Sequence, residues 1–206
     1  WATLLPGFVG GRLFGRAIVV NGEHGTFFAD SFRRRLLQKL LFRAVATNCT
    51  VSDSLRLEMQ VLFSVPESQV ETIVNGVDVD RFLPQPDTAV HPDSVAFVGS
   101  LDWRPNLDGV VWFLDAIWPH VLRLSSAATF TIVGRNPPAW LLRRVSEIPS
   151  VRLEPGVPDV RPYVAGAAVS VVPLRIAGGS RLKICEALAM QRPIVTTDGG
   201  AEGLAG

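Results

Sequence analysis

The sequence predicts an α/β protein built on doubly wound parallel sheets, and three observations carry that expectation. Short apolar runs of strand length alternate with stretches of helical period along most of the chain. One such run ends at Pro173 and leads through Gly178 and Gly179 into a helix that opens with Ser180, Arg181 and Lys183. A stretch holding Pro84, Pro86 and Pro92 interrupts the alternation, which then restarts. Alternating βα units imply parallel sheets with ligands at the carboxyl ends of the strands.

In chain order, residues 16–20 read as a buried strand and 22–25 as a loop holding His24. A helix over 31–45 carries Arg33, Arg34, Arg35, Lys39 and Arg43, with Leu36, Leu37, Leu40 and Leu41 on its other face. Residues 48–52 form a second strand, and Asp53 caps a helix to about Phe63. A third strand spans 70–74. After the prolines, strands are expected at 95–98, 129–133, 151–153, 168–172 and 194–196. Between them lie a long helix over 107–124 kinked at Pro119, a helix over 140–148, a turn over 159–165 and a helix over 180–190. The division is therefore 1–83 as the end of one Rossmann-like domain, 84–94 as linker and 95–206 as a second domain. With no initiator Met and a stop just after a strand, the chain reads as a piece of a longer protein, both domains incomplete.

Composition narrows the function classes. A net charge near +1 excludes a general polyanion binder, so no nucleic-acid partner is expected. Cys49 and Cys185 are far apart in apolar segments, which fits reduced thiols better than a disulfide framework. No apolar run approaches the length of a membrane span and no signal peptide is present, so the expected location is cytoplasmic.

The segment from Pro173 to Ala189 holds the most chemistry. A glycine turn followed by a helix start offers free N–H groups and a favourable dipole to an anion, with Arg181 and Lys183 close by. Without an anion there, two cations at a helix start would oppose the dipole. Glu186 can accept hydrogen bonds from a ligand's hydroxyls; its bland reading is a surface carboxylate paired with Lys183. A diphosphate together with sugar hydroxyls describes a nucleotide, or a nucleotide sugar.

Several motifs in order then resemble a known family: Val70-x-x-Ile-x-Asn-Gly-Val-Asp-x-x-x-Phe82, Val98-Gly-Ser-Leu-Asp-Trp-Arg-Pro-Asn106, Ile132-Val-Gly134, Gly156-Val-Pro-Asp-Val160, the Pro173–Ala189 segment and Pro193-Ile-Val-x-Thr-x-x-Gly-Ala-Glu-Gly203. The chain is similar to the family 4 glycosyltransferases of GT-B type, in the branch that makes bacterial exopolysaccharide or cell-surface glycans. The resemblance implies a retaining transferase with a nucleotide-diphosphate sugar as donor, a glycan or lipid-linked acceptor, and neither cofactor nor bound metal. It places the donor in the C-terminal domain, with Glu186 on the ribose hydroxyls, Arg181 and Lys183 on the diphosphate, and the base near 156–160.

The chain departs from the family pattern twice. Where relatives carry a first glutamate that contacts the donor sugar, Gly178 stands here, so backbone groups of Gly179 and Ser180 would have to hold the sugar. Where many relatives place an arginine and a lysine after the strand 95–98, Ser100 and Asn106 stand, which leaves Arg104 as the nearest cation and Arg175 as a further candidate. His24 lies where relatives carry an active-site histidine that hydrogen-bonds sugar or acceptor.

Other features have simpler explanations. Asp78-Val-Asp80 imitates a metal-binding motif, but turn geometry accounts for it. Asn48-Cys-Thr50 imitates a glycosylation sequon within an apolar strand, and Trp103, Trp112, Trp118 and Trp140 read as core or cleft-wall aromatics. The basic helix 31–45 has two readings, an ordinary amphipathic helix packed on its sheet or a peripheral contact with the inner face of an anionic membrane. Two other function classes stay open: a non-catalytic nucleotide-binding module, and a GT-B sugar-nucleotide epimerase, for which Glu23 and His24 are the sole acid/base candidates.

Overall fold

A computed structural model describes residues 20–23, 32–176 and 182–201. They fall into two compact units that divide between Asn75 and Gly76. The turn at 78–82 therefore belongs with the second unit.

The first unit holds a three-stranded parallel sheet in sequence order: β1 (Val20–Glu23), β2 (Thr47–Thr50) and β3 (Val70–Thr72). β1 takes in Val20 of the strand expected at 16–20, whose other residues lie outside the described ones, and runs on into residues expected as loop, where its pairing with β2 draws in the polar Asn21. Asn48 explains this: it is fully buried, accepts from Asn21 Nδ2 at 3.1 Å and donates to the carbonyls of Phe42 (2.9 Å) and Gln69 (3.2 Å). A side chain so enclosed serves the sheet and is no glycan acceptor. Helix α1 (Phe32–Ala44) buries Gln38, Leu41 and Phe42, and Val45 just beyond it, while Leu36 and Leu40 are 49% and 61% exposed. The expected apolar face is thus rotated, and these two leucines lie on the cationic side. Helix α2 (Asp53–Phe63) is capped by Ser52 rather than Asp53, the Ser52 Oγ accepting from the N–H of Leu55 at 3.3 Å. Its Met59 and Phe63 pack on Phe42 to close the small core.

The second unit is a five-stranded, all-parallel sheet in the order β6-β5-β4-β7-β8, with β4 (His91–Val98), β5 (Thr129–Gly134), β6 (Val151–Pro155), β7 (Ala167–Val172) and β8 (Ile194–Thr196). β4 begins inside the residues expected as linker. One face carries the main core: Phe97, Phe130 and Ile132 meet Val110 of α3 (Arg104–Trp112), Trp118 of α4 (Trp118–Leu124) and Leu141 of α5 (Ala139–Ser146). On the other face, α6 (Arg161–Gly166) and α7 (Leu182–Ala189) pack through Val164, Ala165 and Ala187, with Val98 and Ile194 against them. A short α8 (Asp198–Ala201) ends the described chain.

The expected long helix is three pieces. Pro119 has no N–H to give and its ring crowds the carbonyl one turn back, so the backbone widens into a π-helical turn at Phe113–Ile117, where the Trp118 N–H reaches Phe113 O. That turn lets Trp118 enter the core, where it stacks on Phe113 and Phe130. Trp103 and Trp140, expected as core or cleft-wall aromatics, are 43% and 44% exposed, which removes the core reading for both.

Candidate functional site

Strand order fixes where a ligand can enter. From β4 the chain steps outward through β5 to β6, then returns to lay β7 on the other side of β4. Helices α3 and α7, which follow β4 and β7, accordingly pack on opposite faces and leave a crevice above the carboxyl ends of these two strands. Lys183 and Glu186 of α7 stand one turn apart at that crevice.

Lys183 reaches across the strand ends to α3. Its Nζ donates to Asn106 Oδ1 at 2.7 Å and lies 4.5 Å from the centroid of the Phe97 ring. Asn106 is buried, and its Nδ2 donates to the Ser100 carbonyl at 2.8 Å. Gly99 makes room for this arrangement: a Cβ there would lie 2.6 Å from Lys183 Nζ and 2.7 Å from Asn106 Nδ2. Glu186 is half-buried, and that burial pushes its carboxyl above the usual glutamate range, while the charges of Lys183 and Arg81 pull it back.

Arg81 sits in a turn whose geometry is set by Asp78. The Asp78 carboxylate accepts from the N–H groups of Asp80 and Arg81 at 3.1 Å each, which is a turn-capping role for this aspartate. The Arg81 carbonyl accepts from Arg161 Nη1 at 3.0 Å, and Arg161 is held by Asp159 through two carboxylate oxygens. Those contacts, chiefly the hydrogen bonds from Arg161, hold the Asp159 carboxyl below its ordinary range.

The remaining expected cations are arranged otherwise. Arg104 is the exposed first residue of α3 and makes no side-chain hydrogen bond or ion pair among the described residues. Arg175 forks onto Asp108 at 3.0 and 2.7 Å and lies 5.7 Å from the Trp112 ring centroid. It ties the loop after β7 to α3. His24, Gly178, Gly179, Ser180 and Arg181 lie outside the described residues.

Beside the crevice, the loops after β4, β5 and β6 fold against one another. Leu101 N–H donates to Arg135 O at 2.9 Å and Gly156 N–H to Gly134 O at 3.2 Å, Gly156 taking a φ of +66°. Ser100 Oγ donates to Asp102 at 2.7 Å, and Arg135 and Asn136 join the same cluster. The Ser100 and Asn136 hydrogen bonds keep the Asp102 carboxyl ionised below its ordinary range. Between these loops opens a cavity of about 180 Å³ lined by Val98, Gly99, Gly134, Gly156, Val157 and Val160.

A family model described as "Glycosyl transferases group 1" matches residues 92–206, more than half of the chain. The chain belongs to that family. Its fold is GT-B, shared with solved glycosyltransferase structures at low identity. The Anabaena protein Alr3699/HepE in complex with UDP-glucose superposes with a TM-score of 0.78 at 13% identity, over 100% of this chain and 60% of that one. TarM of S. aureus, in a complex that includes UDP and alpha-GlcNAc-glycerol, gives 0.71 at 16%, over 94% and 40%. A glycosyltransferase from Rickettsia africae gives 0.67 at 15%, over 89% and 52%. Among curated proteins, an uncharacterized 44.6 kDa protein in the cps region of Klebsiella pneumoniae is 26% identical over 121 residues, 55% of this chain and 31% of that protein. The chain spans a third to three fifths of the length of these relatives.

In this chain the sequence points to Lys183 and Glu186 at the crevice but not to Asn106 and Gly99, which adjoin Lys183, or to Arg81, whose charge bears on Glu186. Arg81 lies inside the motif ending at Phe82, four residues from which the turn's Asp78 was already singled out, so its neighbourhood carried a signal. At position 106 the sequence shows the cation that is missing, and only the fold shows the one that arrives from α7.

Burial raises the Glu186 carboxyl in the folded chain, so folding favours its protonated form. That contribution to stability is full below the ordinary glutamate range and is lost as pH rises through the raised folded value. Glu186→Gln removes the titration while keeping the shape. Its melting temperature should match that of the unaltered chain at about pH 4 and exceed it by about 2 °C at about pH 8. A difference independent of pH would show that burial does not penalise this carboxylate.

Proposed function

We propose that this chain carries the donor side of a retaining, metal-independent glycosyltransferase, which moves a sugar from a nucleotide-sugar donor to a glycan or lipid-linked acceptor in cell-surface polysaccharide synthesis. The observation that carries the reading is the pair Lys183 and Glu186, cation and half-buried carboxylate, one turn apart above the switch point of the sheet. Lys183, with Arg181, offsets the negative charge that grows on the diphosphate as it leaves. Glu186 accepts from the ribose hydroxyls, and the cavity over Gly134 and Gly156 takes the base, largely through backbone groups. The UDP and UDP-glucose bound by structural neighbours support a nucleotide-sugar donor, and the cps-region relative supports the glycan setting. His24 is assigned to the sugar or acceptor, and the backbone of Gly178, Gly179 and Ser180 to the donor sugar, on the motif alone.

The membrane reading of the basic helix gains from one observation. On α1, Leu36 and Leu40 are exposed beside Arg33 and Arg43, so apolar and cationic groups share one face. Such a face suits anionic lipid, the setting of a lipid-linked acceptor. Among the described residues no helix is long and apolar enough to cross a membrane.

Thermal shifts and calorimetry with UDP, GDP, ADP and dTDP, each alone and as its glucose conjugate, test the donor reading. One nucleoside diphosphate is expected to bind, with Lys183→Ala weakening it at least tenfold, on the order of a lost charge-assisted contact. Binding of none, or no effect of Lys183→Ala, would refute it; binding without turnover would leave a nucleotide-binding module. Sedimentation with vesicles of 30% phosphatidylglycerol tests the membrane face. Binding that falls with salt and is lost in Leu36→Glu/Leu40→Glu is expected, whereas binding indifferent to lipid charge would sink it.

A further inference from the structure

The cation that faces the crevice is supplied by α7, yet it is held by α3. Asn106 is only 3% exposed, and each end of its amide is used: Nδ2 is fixed to the Ser100 carbonyl and Oδ1 faces the Lys183 ammonium at 2.7 Å. A buried amide anchored at one end presents its other end in one orientation, so the acceptor for Lys183 is preset. The Phe97 ring lies below the ammonium, and Gly99 leaves the space that both side chains occupy. Lysine is a flexible four-carbon stem with a strongly hydrated point charge, and a free one would sample many rotamers. Here three elements converge on its tip.

From this geometry we infer that Asn106 is a positioning residue: it sets the Lys183 ammonium at the carboxyl end of β4, where it meets the diphosphate of the donor. The inference rests on the donor reading above and adds to it a residue that itself need not touch the ligand. It also accounts for the departure at this position. With an amide at 106, that position brings no charge of its own, and a cation arrives across the switch point from α7 in its place. Arg175 is paired with Asp108 instead.

The test is a double-mutant cycle read by calorimetry with four nucleoside diphosphates (UDP, GDP, ADP, dTDP) and their monophosphates, on the unaltered chain, Asn106→Ala, Lys183→Ala and the double variant. Asn106→Ala should weaken the preferred diphosphate about tenfold while changing its monophosphate by less than about twofold, and should have no further effect once Lys183 is alanine. Monophosphate binding doubles as the check on folding. If Asn106→Ala does not fold, Asn106→Ser carries the test, because it keeps a hydroxyl in the buried site while withdrawing the amide oxygen that Lys183 meets, and should produce the same selective loss. Equal losses for mono- and diphosphate, or additive effects of the two substitutions, would overturn the inference alone. Failure of the unaltered chain to bind any of the eight nucleotides would overturn the donor reading and this inference with it.

Discussion

The site depends on one topological constraint: β4 lies between β5 and β7, and the helices that follow β4 and β7 leave on opposite faces. Two helices that diverge from adjacent strand ends leave a wedge between them, and the strand carbonyls and helix amino ends there face outward together. The core obeys the same constraint. Phe97 and Val98, consecutive in β4, point to opposite faces, one into the cluster around Trp118 and the other toward Ala187 and Met190. A register shift of one residue would exchange them and dismantle both faces at once.

Polar contacts then tune what topology opens. Lys183 crosses the wedge to Asn106, Arg175 ties the loop after β7 back to α3, and Arg161 with Asp159 steadies the turn that carries Arg81. The exposed pairs contribute little stability each, since solvent screens them. Their effect is to limit where loops and charges can sit. Asn106 differs because it is buried: removing its amide would leave the Ser100 carbonyl without its partner, a cost of about 1–3 kcal/mol.

Much of the fold was legible because the strands of the parallel sheet read as apolar runs, and β5, β7 and β8 lie within a residue of their expected places. What escaped was set by contacts distant in sequence. β1 lies in polar residues because Asn21 bonds to Asn48, 27 positions away. The face of α1 could not be chosen from Leu36-Leu37 and Leu40-Leu41, where each pair straddles the boundary; burial of Gln38 and Phe42 decides it. The π-turn before Pro119 replaced an expected kink because widening the helix keeps Trp118 in the core. In the site, residue types near the helix start pointed to Lys183 and Glu186. The residues that act on them lie 77 and 105 positions earlier: Asn106 of α3 accepts from Lys183 and the charge of Arg81 bears on Glu186, and no local pattern announces such distant pairings.

The central claim is that one crevice, above the carboxyl ends of β4 and β7, receives a nucleoside diphosphate. A crystal structure of the chain soaked with UDP, or with the nucleotide found to bind best, tests it most directly. The account predicts phosphate oxygens within hydrogen-bonding reach of Lys183 Nζ, ribose hydroxyls on Glu186 and the base between the loops after β5 and β6. A nucleotide seated elsewhere, with Glu186 and Lys183 untouched, would contradict it.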